Sequence, residues 1–105
     1  MADLQFRQGT VYENEAEGAR LLLIHHDPMN LRSMAVPGSP DGNFDCAAPA
    51  MIAIDDIIAL RKSGSWRELG DVPPEVFAQI LDAVINTAGD RLPENDLRAL
   101  KALKK

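Results

Sequence analysis

The sequence is poor in cysteine and in aromatic residues. One Cys, one Trp, one Tyr and three Phe are spread over 105 positions. Cys46 alone can form neither an intramolecular disulfide nor a thiolate metal cluster. No apolar run approaches the ~18 residues that a membrane-spanning helix needs. Residues 1–7 lack the basic start and apolar stretch of a secretory leader. These absences predict a chain with no membrane span, in a reducing, cytoplasmic compartment. Basic side chains are also scarce at the front. Before position 61 only Arg7, Arg20 and Arg32 are basic, against nine acidic residues; the remainder holds eight basic and seven acidic residues, for a net charge of −5. Broad, non-specific nucleic-acid binding depends on basic surface, and this distribution argues against it. It leaves room for a local basic site, or for a basic protein partner.

Apolar residues make up 46% of the chain and charged residues 26%. That balance suits a folded protein, and the length supports one domain over residues 1–105. Residues 1–8 read as a frayed or edge segment. Gly9-Thr10-Val11-Tyr12 reads as a short strand, because β-branched and aromatic residues cluster there. Glu13 to Gly18 is polar and reads as a turn. Ala19 to His25 is a continuous apolar run, as expected of a strand buried on both faces, and Asp27-Pro28 ends it. Leu31 to Val36 is a second apolar run, closed by the Pro37-Gly38-Ser39-Pro40-Asp41-Gly42 loop. Met51 to Ile54 and Ile57 to Leu60 read as two strand-like pieces around Asp55-Asp56. A helix over 52–61 is the competing reading, which periodicity does not separate from the first.

Two helices are expected towards the C-terminus. Pro73-Pro74-Glu75 suits a first turn. Val76, Phe77, Ile80, Leu81, Val84 and Ile85 form one stripe at spacings of three and four, and Gly89 is a plausible stop. A second helix is predicted from Pro93 to about Lys104, acidic at its start and basic at its end. Its apolar face is thin, which predicts loose docking or a role in binding a partner. Short strands followed by an amphipathic helix suggest a β-rich α+β fold: a small antiparallel barrel or curled sheet.

Several clusters invite a chemical reading. His25-His26-Asp27 lies on a strand, where neighbours face opposite sides; a shared metal is disfavoured, and one ring is expected to be buried and one exposed. Alternation would split Asp55 and Asp56 in the same way, giving one turn or capping carboxylate and one solvated one. Cys46 has no basic neighbour to lower its pKa and reads as a small buried hydrophobe. Trp66 and Arg67 lie in a loop and read either as contact residues or, for Trp66, as a lid over one end of the barrel. Arg20 opens an apolar strand, so its guanidinium must stay solvated or paired. Beside the Pro37-Gly38-Ser39 loop it would make an anion site; pairing with Glu17 is the alternative.

The order of these features resembles the MazF/PemK-type toxins of bacterial toxin–antitoxin systems. Gly9-Thr10-Val11-Tyr12 resembles the family's opening strand, and Arg20-Leu21-Leu22-Leu23-Ile24 its Arg-Pro and aliphatic strand, with Leu21 in place of Pro. Val36-Pro37-Gly38-Ser39 is similar to its Val-Pro-x-Thr/Ser element, and Ala53-Ile54-Asp55-Asp56-Ile57 to its Ala-Leu-Asp-Gln-Val/Ile strand. Leu69-Gly70, Val72-Pro73-Pro74-Glu75-Val76 and the helix ending at Gly89 resemble its closing elements. The resemblance covers residues 9–89 and leaves 90–105 as a short helical extension.

The resemblance implies an SH3-like barrel closed by a C-terminal helix, a homodimer, a cognate antitoxin as partner, and metal-independent cutting of single-stranded RNA with no cofactor. It assigns catalytic roles to Arg20 and Ser39, and on that reading Pro37, Gly38, Trp66 and Arg67 would contact the substrate. Arg20 stays protonated, so its role would be mainly electrostatic or, under strain, that of a proton donor. The alternative is a non-catalytic barrel that binds a protein. CcdB-type relatives share the fold and bind DNA gyrase, and an inactive or regulatory relative is a third possibility. The acidic front half, the short turn bearing Glu13, Glu15 and Glu17, and Leu21 in place of Pro favour that alternative.

Overall fold

The computed structural model describes residues 8–14, 16–27, 31–39 and 41–103. The expected N-terminal segment 1–8 lies almost wholly outside them, as do Lys104 and Lys105. Five strands form one antiparallel sheet: β1 (Thr10–Asn14), β2 (Ala19–Asp27), β3 (Arg32–Gly38), β4 (Ala50–Ala53) and β5 (Arg67–Asp71). The spatial order is β4-β3-β2-β1-β5. Four strands follow one another as a meander, and β5 returns to the free side of β1. Three helices complete the chain: α1 (Ile54–Ser63), α2 (Pro74–Ala88) and α3 (Glu94–Leu103), with a 3₁₀ turn at Gly89–Arg91 between the last two.

Helices cover the sheet on both faces, and strand alternation assigns the residues. On one face Val11, Leu22, Ile24, Met34 and Val36 meet Ile80, Leu81 and Val84 of α2 and Leu100 of α3. On the other, Tyr12, Leu23 and Ala35 meet Ile57 of α1, with Leu21, Ile52, Leu60 and Trp66 packed around them. This explains the unbroken apolar run in β2. Leu22, Leu23 and Ile24 are all fully buried, because neither face of a doubly covered strand meets water. The α+β class expected from the sequence is therefore present. The sheet is open, however, with β4 and β5 at its edges rather than paired into a closed barrel.

Two local expectations need correction. The piece from Ile57 to Leu60 is helical, not a strand. Ile57 and Leu60, three apart, face the sheet, and Asp55 and Asp56 sit exposed in the first turn of α1, where they complement the helix dipole. The second correction is Arg67–Asp71, an additional strand. An edge strand with one covered face carries no apolar run, so nothing in RELGD marks it. Gly89 closes α2 as expected, since the helix ends at Ala88, though not in a left-handed turn. It keeps helical angles (φ −54°, ψ −37°) and leads into the 3₁₀ turn.

The α2 stripe packs as expected, with Ile80, Leu81, Val84 and Ala88 buried. The α3 helix docks firmly despite its thin apolar face. Leu100 is fully buried, and Asp96, also buried, accepts a hydrogen bond from Arg32 of β3 at 2.6 Å. No described helix is long and apolar enough to cross a membrane.

Leu81→Ala should lower the unfolding free energy by ~2–5 kcal/mol, the cost of a cavity in a filled core. Ile58→Ala, on the exposed side of α1, should change it by less than about 0.5 kcal/mol. Urea denaturation of the two variants beside the parent checks both; equal effects would contradict the assigned faces.

Candidate functional site

A row of side chains crosses four strands on the α2-facing side of the sheet. The registers align Arg67 of β5 with Glu13 of β1, Glu13 with Arg20 of β2, and Arg20 with Gly38 of β3. Cross-strand partners share a face, and alternation from Val11 and Leu22 puts this row on the side of α2 and α3. Arg20 Nε donates to Glu13 Oε2 at 2.8 Å. Arg67 donates to Glu13 Oε1 from Nη2 at 2.7 Å and from Nε at 3.2 Å. The carboxylate is nearly inaccessible, with 6% of its side chain exposed, against 25% for Arg20 and 58% for Arg67. The hydrogen bonds from Arg67, then those from Arg20, hold its pKa below the ordinary glutamate value.

A β-bulge makes this row possible. Thr10 pairs with Asp71 and Val11 with Gly70, but Tyr12 pairs with Glu68, so Leu69 is an extra residue in β5. Gly70 absorbs the distortion at φ +130°, a region open to glycine and rarely to other residues. Without the extra residue Glu68 would face Glu13; with it, Arg67 does. Thr10 Oγ1 anchors the near side of the bulge by donating to Asp71 Oδ1 at 2.5 Å.

The predicted loop lies at the other end of the row. Pro37, Gly38, Ser39, Asn43, Phe44 and Asp45 line a shallow pocket of about 330 Å³. A Cβ on Gly38 would lie 2.7 Å from a Phe44 ring carbon, so only glycine lets the ring cover this strand. Ser39 Oγ donates to Asp41, which also accepts from the Asn43 backbone N–H at 3.0 Å. These bonds, the Ser39 hydroxyl first, hold the Asp41 carboxyl below its usual pKa. The loop is tied to the end of α2, where Thr87 Oγ1 and Arg91 Nη2 donate to the carbonyls of Cys46 and Ala47.

The predicted site residues thus fall into three groups. Arg20 and Arg67 are brought together, through Glu13. Pro37, Gly38 and Ser39 form the loop pocket, joined to Arg20 by the Arg20–Gly38 register. Trp66 goes elsewhere: although it adjoins Arg67, it is half-buried against Tyr12, Leu23 and Ala35 on the α1 side, nearer the lid reading. Glu13, read as a turn residue, is the residue missed. Its signal was a period-2 continuation of Val11, and a six-residue hairpin spacing that sets it opposite Arg20.

The remaining clusters stay apart. His25 is half-buried and His26 exposed, with His26 Nδ1 2.6 Å from Ser33 Oγ. Burial, and then Asp45, push the Cys46 thiol pKa up, which disfavours a reactive thiolate. No group of metal-ligating side chains is found among the described residues.

Because its pKa is lower in the folded state, Glu13 contributes stability that is fully present above the unfolded glutamate value of about 4.5 and is lost as pH falls below it. Glu13→Gln should therefore be less stable than the parent at pH 7, and the gap should narrow steadily as pH falls below about 4.5. Urea titrations at several pH values measure it; a gap independent of pH would remove the ion pairs as its cause.

No family model matches the chain, and no curated protein or solved structure matches it either.

Proposed function

We propose that the chain is a MazF/PemK-like toxin that cuts single-stranded RNA without a metal ion. The observation that carries this reading is the Arg67–Glu13–Arg20 row, which fixes two guanidiniums at strand ends and sets Arg20 in register with Gly38 of the Pro37–Asp45 pocket. Metal-free RNA cleavage needs little more than fixed positive charge at the phosphate. The 2′-hydroxyl attacks the adjacent phosphorus, the bond to the 5′-oxygen breaks, and the proton given up by the 2′-oxygen is balanced by one taken up by the leaving oxygen. Arg20 stabilises the charge that builds on the non-bridging oxygens. Its Nη nitrogens, which hold no partner among the described residues, supply the donors. Arg67 adds a second charge.

The reading includes a cytoplasmic homodimer and a cognate antitoxin. Met51, Ile54 and Ile58, exposed along β4 and α1, support a protein-contact surface there. It also implies the family's small barrel. The antiparallel meander, with β5 returning beside β1, supports an opened form of that architecture. A second reading, a non-catalytic chain that binds a protein, is favoured by a different observation: the Ser39 hydroxyl is engaged by Asp41, and Asp45 lies in the same pocket wall.

Purified protein incubated with mixed-sequence single-stranded RNA and EDTA separates the two. The ribonuclease reading expects cleavage that Arg20→Ala lowers ~10²–10³-fold while circular dichroism stays unchanged. His26→Ala, outside the site, should cut at the parental rate. An intact RNA substrate with folded parent protein would favour the protein-binding reading.

A further inference from the structure

We propose that Glu13 occupies the phosphate position of a two-arginine anion site, as an internal carboxylate that a phosphodiester displaces. The identity of that phosphodiester, an RNA strand, rests on the ribonuclease reading; the anion site itself does not.

The geometry points this way. Two guanidiniums from strands on either side of β1 converge on one carboxylate, each on a different oxygen, at 2.7 and 2.8 Å. A phosphate presents the same pair of anionic oxygens to the same donors. Both arginines stand further into solvent than the group they hold, with Arg67 more than half exposed. An incoming anion would therefore meet the cations before it met Glu13. Glu13 is carried by β1, between the two arginine-bearing strands, and its displacement would be a rotation of its own side-chain bonds towards the exposed arginine side of the row. While it stays in place, its negative charge offsets theirs, so the site is held at low affinity. Displacement removes that offset.

The test measures binding apart from cleavage. The full-length protein and its Glu13→Gln, Arg20→Ala and Glu13→Gln/Arg20→Ala variants are titrated at pH 7 with inorganic phosphate and, separately, with an all-deoxy single-stranded decamer, which cannot be cut. The proposal expects Glu13→Gln to bind both probes about tenfold or more tightly than the parent, and the double variant to lose that gain. Unchanged or weaker binding of inorganic phosphate by folded Glu13→Gln overturns it. A gain for inorganic phosphate alone upholds the anion site and removes nucleic acid as its ligand. A gain for both, with no RNA cleavage by any variant, upholds the anion site and removes the ribonuclease reading.

If Glu13→Gln does not fold, its folding and that of Glu13→Ala are followed by circular dichroism with and without phosphate. Recovery in phosphate supports the proposal, because the anion then takes the carboxylate's place. Chains that stay unfolded in phosphate overturn it and leave Glu13 a structural residue.

Discussion

Double-sided burial of β1 is the constraint from which the rest of the structure follows. All five residues of this strand are buried, because it has a strand on each side and helices above and below. A buried carboxylate is costly unless it is paired and hydrogen-bonded. Glu13 meets that condition only because β2 and β5 each present an arginine to it. Either arginine alone would leave one carboxylate oxygen without its charged partner, at some cost in stability. The Arg20 assigned by resemblance to catalysis is thus also part of what makes the strand order tolerable.

The α3 helix shows a second solution to the same problem. Asp96 is buried at its first turn and reaches Arg32 across the α2-facing side of the sheet. Arg32 also stands 3.4 Å from Asp27 through Nε, close enough for attraction. That nitrogen nevertheless forms no hydrogen bond, so the geometry suits charge balance better than a directed bond. A helix with only Leu97, Leu100 and Leu103 along its apolar stripe gains one point of fixed attachment from this pair. This is why it docks although its apolar content predicted loose packing.

How far the sequence could be read depended on whether a segment's signal was local. The α2 stripe is periodic within itself, and β2 is a run too apolar for anything but two-sided burial, so both were legible. The 54–63 segment was not, since Ile54, Ile57, Ile58 and Leu60 fit a strand or a helix equally until the partner face is known. RELGD was illegible for a different reason: its strand state comes from hydrogen bonds to β1 rather than from its own side chains. At the site, Arg20 could be picked out as a residue that had to be solvated or paired, and Arg67 as a contact residue beside Trp66. Their shared partner could not, because which acid lies between them is a matter of register. Ser39 is a case of the right loop with its hydroxyl committed to the loop's own Asp41.

Register is itself decided at one place. If β5 ran beside β1 without its extra residue, the pairing at Thr10–Asp71 would carry Glu68 opposite Glu13 and set two carboxylates side by side in a buried row. Like charges in direct opposition destabilise a sheet, and Glu13, with 6% of its side chain exposed, has little access to water. The bulge at Leu69 moves the strand by one position and exchanges that repulsion for the Arg67 pair. It also twists and charges an otherwise open edge, which discourages pairing with another chain. The opposite edge, β4, has no such device: it is short and uncharged, and is flanked by exposed Met51 and Ile54. One irregular residue therefore both assembles the cation pair and leaves β4 as the edge better suited to protein contact.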